Sequence, residues 1–467
     1  MGKKQTFSGL HDARIDTMLT SMDEAPTNHR STHGTGCSVR DYASVSHGMT
    51  PAVLKEPSEP LTCGDLFAGA GGLSVGFHEA GFTPLFFNEI DAQAAATFSV
   101  NFPHVKPFVC PIQELSADHI RRECSNSGMS PDVMVGGPPC QGFSINAPIR
   151  SSEDPRNHLF RHYVRLVLEG LRPKFVVLEN VPGLISHEEG RTLRDVVRAF
   201  EETGYRVEFR ILNAAHYGVP QERWRLVLLG TRLLGVELTF PEPVHYSTQR
   251  PNFSGGADYT FTHAIRRPSG TLDLFGRGLR APVTVREAIG DLPPVPSGGG
   301  ADESCYTLAA HSAFQKRMRE GSTKLYNHAC ANVTSINIER MRHVEPGGSW
   351  RDIPHELLPK GMKRARRSDH TRRYGRLDPS ALSGTVLTKC DPHWGTVFHY
   401  EQERIITVRE AARFQSFPDW FRFTGSKADQ YRQVGNAVAP LMALAIANHI
   451  KFLLLTHQQT SRAHATR

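Results

Sequence analysis

The chain has eight cysteines in 467 residues, at 37, 63, 110, 124, 140, 305, 330 and 390, and no two stand at CxxC spacing. That absence argues against a zinc ribbon, and a disulfide framework belongs to far shorter secreted chains. Reduced thiols are the simpler reading. No apolar run approaches the ~18 to 20 residues of a spanning helix. The opening stretch MGKKQTFSGLHDARIDTM lacks a secretory apolar core, so the expected location is the cytoplasm. No internal repeat is visible. Neither sign of charge dominates: the net charge of +7 suits a polyanionic partner only weakly.

What is present is globular, with 39% hydrophobic and 22% charged residues. Residues 1–58 are polar and aperiodic and read as a poorly ordered arm. From 61 to about 235, strand-like runs (61–67, 84–89, 132–137, 174–180, 205–212, 225–231) alternate with helical stretches near 72–81, 91–101, 157–171 and 190–203. Such alternation predicts an α/β fold with a doubly wound parallel sheet. Residues 240–375 are irregular and rich in Pro and Gly, and carry the basic run KRARRSDHTRRYGR (363–376). Helices return at 407–417 and 434–455; in the second, Val438, Leu441, Ala445 and Phe452 share a face.

Several residues carry chemistry. DLFAGAGGLSVGF (65–77) follows a strand and opens a helix, and its glycines let a ligand approach the helix N-terminus. It is not the dinucleotide fingerprint, since Ser74 stands at the third glycine position. The next strand ends in NEID (88–91), placing Glu89 where an acid can hold both hydroxyls of a ribose. Together they suggest an adenosine-containing cofactor. GGPPCQGFS (136–144) ends an apolar strand in two glycines and two prolines and then offers Cys140 on a stiff loop. LENVPG (178–183) places Glu179 at the end of another apolar strand, as a candidate proton donor; pairing with an arginine is its structural alternative. YGVPQERWRLVLLG (217–230) carries Arg223 and Arg225 at alternate positions leading into a strand, on one side of it.

The order of these motifs, closed by REAARFQSFPDWF (409–421) and QVGNAVAP (433–440), resembles the DNA (cytosine-5) methyltransferase family, most specifically at PPCQGFS. The resemblance spans 61–240 and about 376–455. It implies an S-adenosylmethionine-dependent, Rossmann-like catalytic domain in two parts (59–240 and 376–456), with a smaller loop-rich target-recognition domain at 241–375 and a tail at 457–467. It implies that Cys140 attacks C6 of a flipped-out cytosine, that Glu179 protonates N3, and that Arg225 and Arg223 hold the base and the loop. Phe67, Gly69, Gly71, Leu73, Glu89, Ile90, Ile112, Pro138, Leu159, Asn436 and Val438 would contact the cofactor. One departure stands out: Pro111 occupies the place of the family's acidic adenine contact. The basic run would meet the DNA backbone. The enzyme would act as a monomer on double-stranded DNA, in a bacterial restriction–modification system with a cognate endonuclease. The alternatives are a transfer-RNA cytosine-5 methyltransferase and a DNA-binding protein without activity. A nucleotide-dependent oxidoreductase is disfavoured by Ser74 and the PPCQ loop.

Overall fold

A seven-stranded sheet frames the computed structural model, which describes residues 59–124, 130–139, 159–247, 259–261, 264–265, 278–366, 368 and 372–465. Its strands are β1 (Thr62–Leu66), β2 (Thr83–Asn88), β3 (Lys106–Phe108), β4 (Val133–Gly136), β5 (Phe175–Asn180), β6 (Arg206–Asn213) and β7 (Trp224–Thr231). They lie in the order β3-β2-β1-β4-β5-β7-β6. Alternate residues of the central strands enter opposite cores: Val133, Val135, Phe175 and Val177 on one face, Met134, Val176 and Leu178 on the other. Burial on both faces explains why these strands read as continuous apolar runs.

The expected all-parallel sheet needs one correction. β7 runs antiparallel to both of its neighbours, β5 and β6. Its partner across each pairing is set by register, which an apolar run does not encode.

Helices α1 (Gly72–Glu79), α2 (Ala92–Asn101), α3 (Ala117–Glu123), α4 (Leu159–Leu166) and α5 (Arg191–Glu201) join the strands. The expected helix at 157–171 is α4 followed by a π-helical turn, Val167–Leu171, in which Gly170 has φ 107. Positions 157 and 158 lie outside the described residues.

The segment after β7 is less loop-dominated than expected. It holds α6 (Val285–Ile289), the antiparallel pair β8 (Gly300–Ser304) and β9 (Leu325–Ala329), α7 (Ala313–Arg319) and α8 (Ser335–Arg342). Capping boxes of Thr284 with Glu287 and of Ser312 with Gln315 start α6 and α7. Helices this short show little periodicity, which is why sequence pattern passed over them. A small core of Met341, Val344, Trp350, Ile353, Met362 and Tyr374 follows.

β10 (Gly375–Arg376) and β11 (Thr396–Phe398) precede α9 (Val408–Phe414), α10 (Lys427–Asn436) and α11 (Pro440–Ala465). The single helix expected at 434–455 is therefore two. Pro440 has no N–H to continue a helix and disfavours helical backbone at the residue before it. Val438 lies in the break, and Phe452 is 42% exposed while Leu441 and Ala445 are buried. The expectation that no stretch reaches spanning length is also corrected. Within Lys427–Ala463 one window is long and apolar enough to cross a bilayer, but 78% of it is buried inside the protein.

Candidate active site

All five parallel strands β1 to β5 end at one edge of the sheet, where ligands bind in open α/β folds. After β1 the chain turns through Phe67 (φ 56), Gly69 (φ 55) and Gly71 (φ 101) into α1. A left-handed Phe67 is costly and tends to occur where structure around it enforces function. The Gly69 N–H donates to Glu89 Oε2 at 2.8 Å, and Asp91 N–H donates to Oε1 at 2.8 Å. Burial pushes the Glu89 carboxyl above its usual range, while these N–H groups pull it down. Each oxygen keeps a second lone pair for a hydroxyl. Ile90 beside it is 67% exposed, an apolar side chain left facing outward. Among the described residues, no atom outside Gly69 and its two chain neighbours lies within 4 Å of where a Gly69 Cβ would stand. An open turn, a half-buried carboxylate and an exposed apolar platform fit an adenosine-containing cofactor.

Ser74, which broke the dinucleotide pattern, has a clear partner: its Oγ donates to Asp65 Oδ2 at 2.6 Å. Asp65 is fully buried, and its Oδ1 has no hydrogen-bond partner among the described residues. Burial pushes its carboxyl up to about 7, with Glu89's charge adding to the rise against the Ser74 bond. Sequence reasoning missed this acid, whose signal was the Asp-to-Ser spacing across the turn. Leu73 is buried in α1, and Ile112 opens a short 3-10 turn after β3 with Pro111 as its cap. Asn88 Nδ2 donates to the Phe108 and Cys110 carbonyls, tying β2 to that segment.

The two glycines at the end of β4, Gly136 within it and Gly137 just after, are read from what they pass. A side chain at Gly136 would meet Leu66 O at 2.7 Å and the Tyr163 ring at 2.8 Å; one at Gly137 would meet Glu179 Oε2 at 3.3 Å. The backbone contact makes glycine necessary at Gly136, while Gly137 leaves the carboxylate uncrowded. Asn180 Nδ2 then donates to the Pro138 carbonyl at 3.2 Å and fixes the loop's entry. Cys140 itself lies outside the described residues, as do the residues up to 158. Leu159, half-buried, starts α4.

Glu179 Oε1 pairs with Arg225 Nε at 2.7 Å, both side chains largely buried. The antiparallel course of β7 makes this possible, because it brings the strand's first residues to the edge where β5 ends. Arg223 has different partners. It precedes the strand, is buried, and donates through Nη2 to the Gly435 and Ala437 carbonyls at 3.0 Å each. Gln221 and Gln415, neither singled out beforehand, bond each other at 2.9 Å, and Gln415 holds the Val434 carbonyl at 2.7 Å. This polar hub sets the 435–438 segment. The Val438 carbonyl lies where a Gly72 side chain would be, at 2.2 Å, so α1 and the break before α11 meet backbone to backbone. Asn436 is exposed beside it.

Two further motifs divide by role. In REAARFQSFPDWF, Arg409, Glu410, Arg413 and Asp419 are buried, with Glu410 held by Arg404 Nη1 and Nη2 and Arg413 by Asp419 and Asp291. That block is a structural staple. In the basic run, Lys363, Arg364, Arg366 and Arg372 are exposed, whereas Arg376 is buried against the Val344, Met341 and His399 carbonyls. The expectation of a uniformly DNA-facing run is corrected at Arg376; Arg367 lies outside the described residues.

Comparison with known proteins adds identity to geometry. The family model "C-5 cytosine-specific DNA methylase" matches residues 61–452. Over 392 residues the chain is 37% identical to Type II methyltransferase M1.HphI of Haemophilus parahaemolyticus, covering 84% of this chain and 86% of that protein. It is 32% identical to DNA (cytosine-5)-methyltransferase 4 of Arabidopsis thaliana, covering 87% of this chain but 30% of the longer plant protein. Among solved structures, one assigned as a DNA modification methyltransferase from an E. coli prophage superposes with a TM-score of 0.62 at 27% identity, over 84% of this chain and 99% of that one. This chain belongs to the C-5 cytosine-specific DNA methylase family.

Proposed function

We propose that the chain transfers the methyl group of S-adenosylmethionine to C5 of a flipped-out cytosine in a specific duplex DNA sequence. The supporting observation is the Glu179–Arg225 pair at 2.7 Å, set against Gly137, three residues before Cys140. C5 of cytosine is a poor nucleophile. The Cys140 thiolate adds to C6 as Glu179 delivers a proton to N3; the C5–C6 double bond becomes single and a C4–C5 enamine forms, nucleophilic at C5. Arg225 orients Glu179 through Nε, donates through Nη1 to the Trp224 carbonyl, and offers Nη2 to the cytosine O2. S-adenosylmethionine, when bound, supplies an electrophilic methyl group. Loss of the C5 proton and expulsion of Cys140 then restore the aromatic ring. Stacking hides both faces of the base, so the cytosine must leave the duplex first.

Phe67, Gly69, Gly71 and Leu73 form the turn around the methionine end, and Glu89 takes the ribose hydroxyls. Ile90 and Ile112 flank the adenine; Pro138, Leu159, Asn436 and Val438 complete the site. Arg223 acts as a positioning residue, through the 435–437 carbonyls. Residues 59–240 and 376–456 form the catalytic part, and 241–375 read the sequence. The chain works in the cytoplasm as a monomer on DNA, as the modification partner of a restriction endonuclease. Incubation with radiolabelled S-adenosylmethionine and either duplex DNA or transfer RNA tests this reading. DNA labelling that vanishes in Cys140→Ser is expected; labelling of RNA alone, or of neither, contradicts it.

A further inference from the structure

Among the described residues, Trp394 combines the largest side chain with high exposure, at 55%. A single exposed indole is not unusual in itself, but a rigidly held one offers a large flat face for stacking. Its position is not loose. The turn Asp391–Trp394 is closed by His393 N–H to Asp391 Oδ1 at 2.9 Å and Trp394 N–H to the Asp391 carbonyl at 3.0 Å. Tyr374 N–H donates to the Pro392 carbonyl at 2.7 Å and anchors the turn to the small second core. The His393 ring stands edge-on to Trp394, with centroids 4.9 Å apart, and to Tyr374 at 5.9 Å. Tyr374 itself is buried at φ 50, a backbone state that tyrosine rarely adopts.

Arg373 lies over the Trp394 ring, 5.0 Å from its centroid. Its Nη1 is directed at Met362 Sδ and His393 Nε2, each at 3.4 Å. Nε and Nη2 have no hydrogen-bond partner among the described residues. A guanidinium stacked on an aromatic face keeps its N–H edge available and has already given up much of its rotamer freedom. Directly beyond Met362 stand the exposed Lys363, Arg364 and Arg366, and Lys389 is exposed just before the turn. A rigid indole, an ordered arginine fork and a cationic border match a nucleic-acid duplex: the fork fits the O6/N7 edge of guanine, and the border fits phosphates.

The geometry points to the Asp391–Trp394 turn with Arg373 as a base-edge reader, in which Arg373 bonds a guanine in the major groove and Trp394 packs on the adjoining base. Lys363 and Arg364 hold the flanking phosphates. The inference rests on duplex DNA being the substrate; it names residues that decide which sequence is methylated, and it extends sequence reading past residue 375 to the Asp391–Trp394 turn that packs beside Arg373.

The test uses the full chain. Bisulfite sequencing of DNA from an expressing host defines the wild-type motif, and rates are then measured on that duplex and on its single-base variants. Arg373→Ala and Trp394→Ala should relax the motif at one or two adjoining positions, lowering discrimination there about tenfold or more. Lys363→Ala with Arg364→Ala should instead weaken binding to all duplexes alike and reduce the salt slope by about two. An unchanged motif with discrimination within twofold in both single variants overturns the proposal. So does a change confined to self-association, which would make the turn a contact between copies. If the alanine variants fail to fold, wild-type fluorescence decides: the motif duplex should shield Trp394 from acrylamide, and undiminished quenching overturns the proposal. A wild-type chain that methylates no duplex at all refutes the DNA reading itself, and this inference with it.

Discussion

Replacing Asp65 by asparagine should remove a pH dependence from the stability of the fold. Asp65 is fully buried, and burial pushes its carboxyl up to about 7 from 3.8. Below about pH 4 the group is protonated in both folded and unfolded chains. Between there and pH 7 the unfolded chain releases the proton while the folded chain keeps it, so the folded state binds more protons and stability falls as pH rises. A rise of a little over three pH units, at 1.36 kcal/mol per unit, makes this loss about 4 kcal/mol by pH 7. Asparagine preserves an acceptor for Ser74 Oγ and does not titrate. Urea unfolding followed by tryptophan fluorescence from pH 4.5 to 8 would compare the two proteins. The wild-type stability should fall by several kcal/mol more than that of Asp65→Asn across the window. Curves that stay parallel within about 1 kcal/mol would refute the reasoning.

Three other substitutions probe the frame around the site. Gly76→Ala would place a methyl 2.5 Å from Ala443 Cβ and Leu444 N, forcing α1 from α11; a stability loss of about 1–3 kcal/mol or more should appear as a lower thermal midpoint, and an unchanged midpoint contradicts the backbone contact. Arg223→Met leaves the Gly435 and Ala437 carbonyls without their charged donor, so stability should fall by about 2–4 kcal/mol and calorimetric affinity for S-adenosylhomocysteine should weaken, whereas intact affinity would separate Arg223 from the cofactor segment. Pro111→Asp restores an acceptor for the adenine amine and should tighten that affinity about fivefold to tenfold; no gain would mean that a neighbour already supplies the contact.

Much of the frame was legible because buried parallel strands leave a plain mark. The runs ending at Leu66, Asn88, Gly136 and Asn180 are mostly buried, and each delivers a chemical residue at one edge. β3, three residues long, is too short to show a pattern. The direction of β7 was hidden because pairing partners, not composition, decide it, and with it went the reason why Arg225 reaches Glu179. Pro440 was visible, but the apolar residues around it masked the break it makes. Polar positioning groups were the hardest to find. Asn180, Gln221 and Gln415 act through hydrogen bonds to groups well separated in sequence, and no local spacing announces such bonds.

The central claim is that Cys140 forms a covalent bond to cytosine C6. A duplex carrying 5-fluorocytosine at the mapped target position, incubated with the enzyme and S-adenosylmethionine, blocks the final proton loss and should leave a denaturation-resistant protein–DNA adduct. The account predicts that adduct with the wild-type chain and none with Cys140→Ala. An adduct that persists in Cys140→Ala would contradict it.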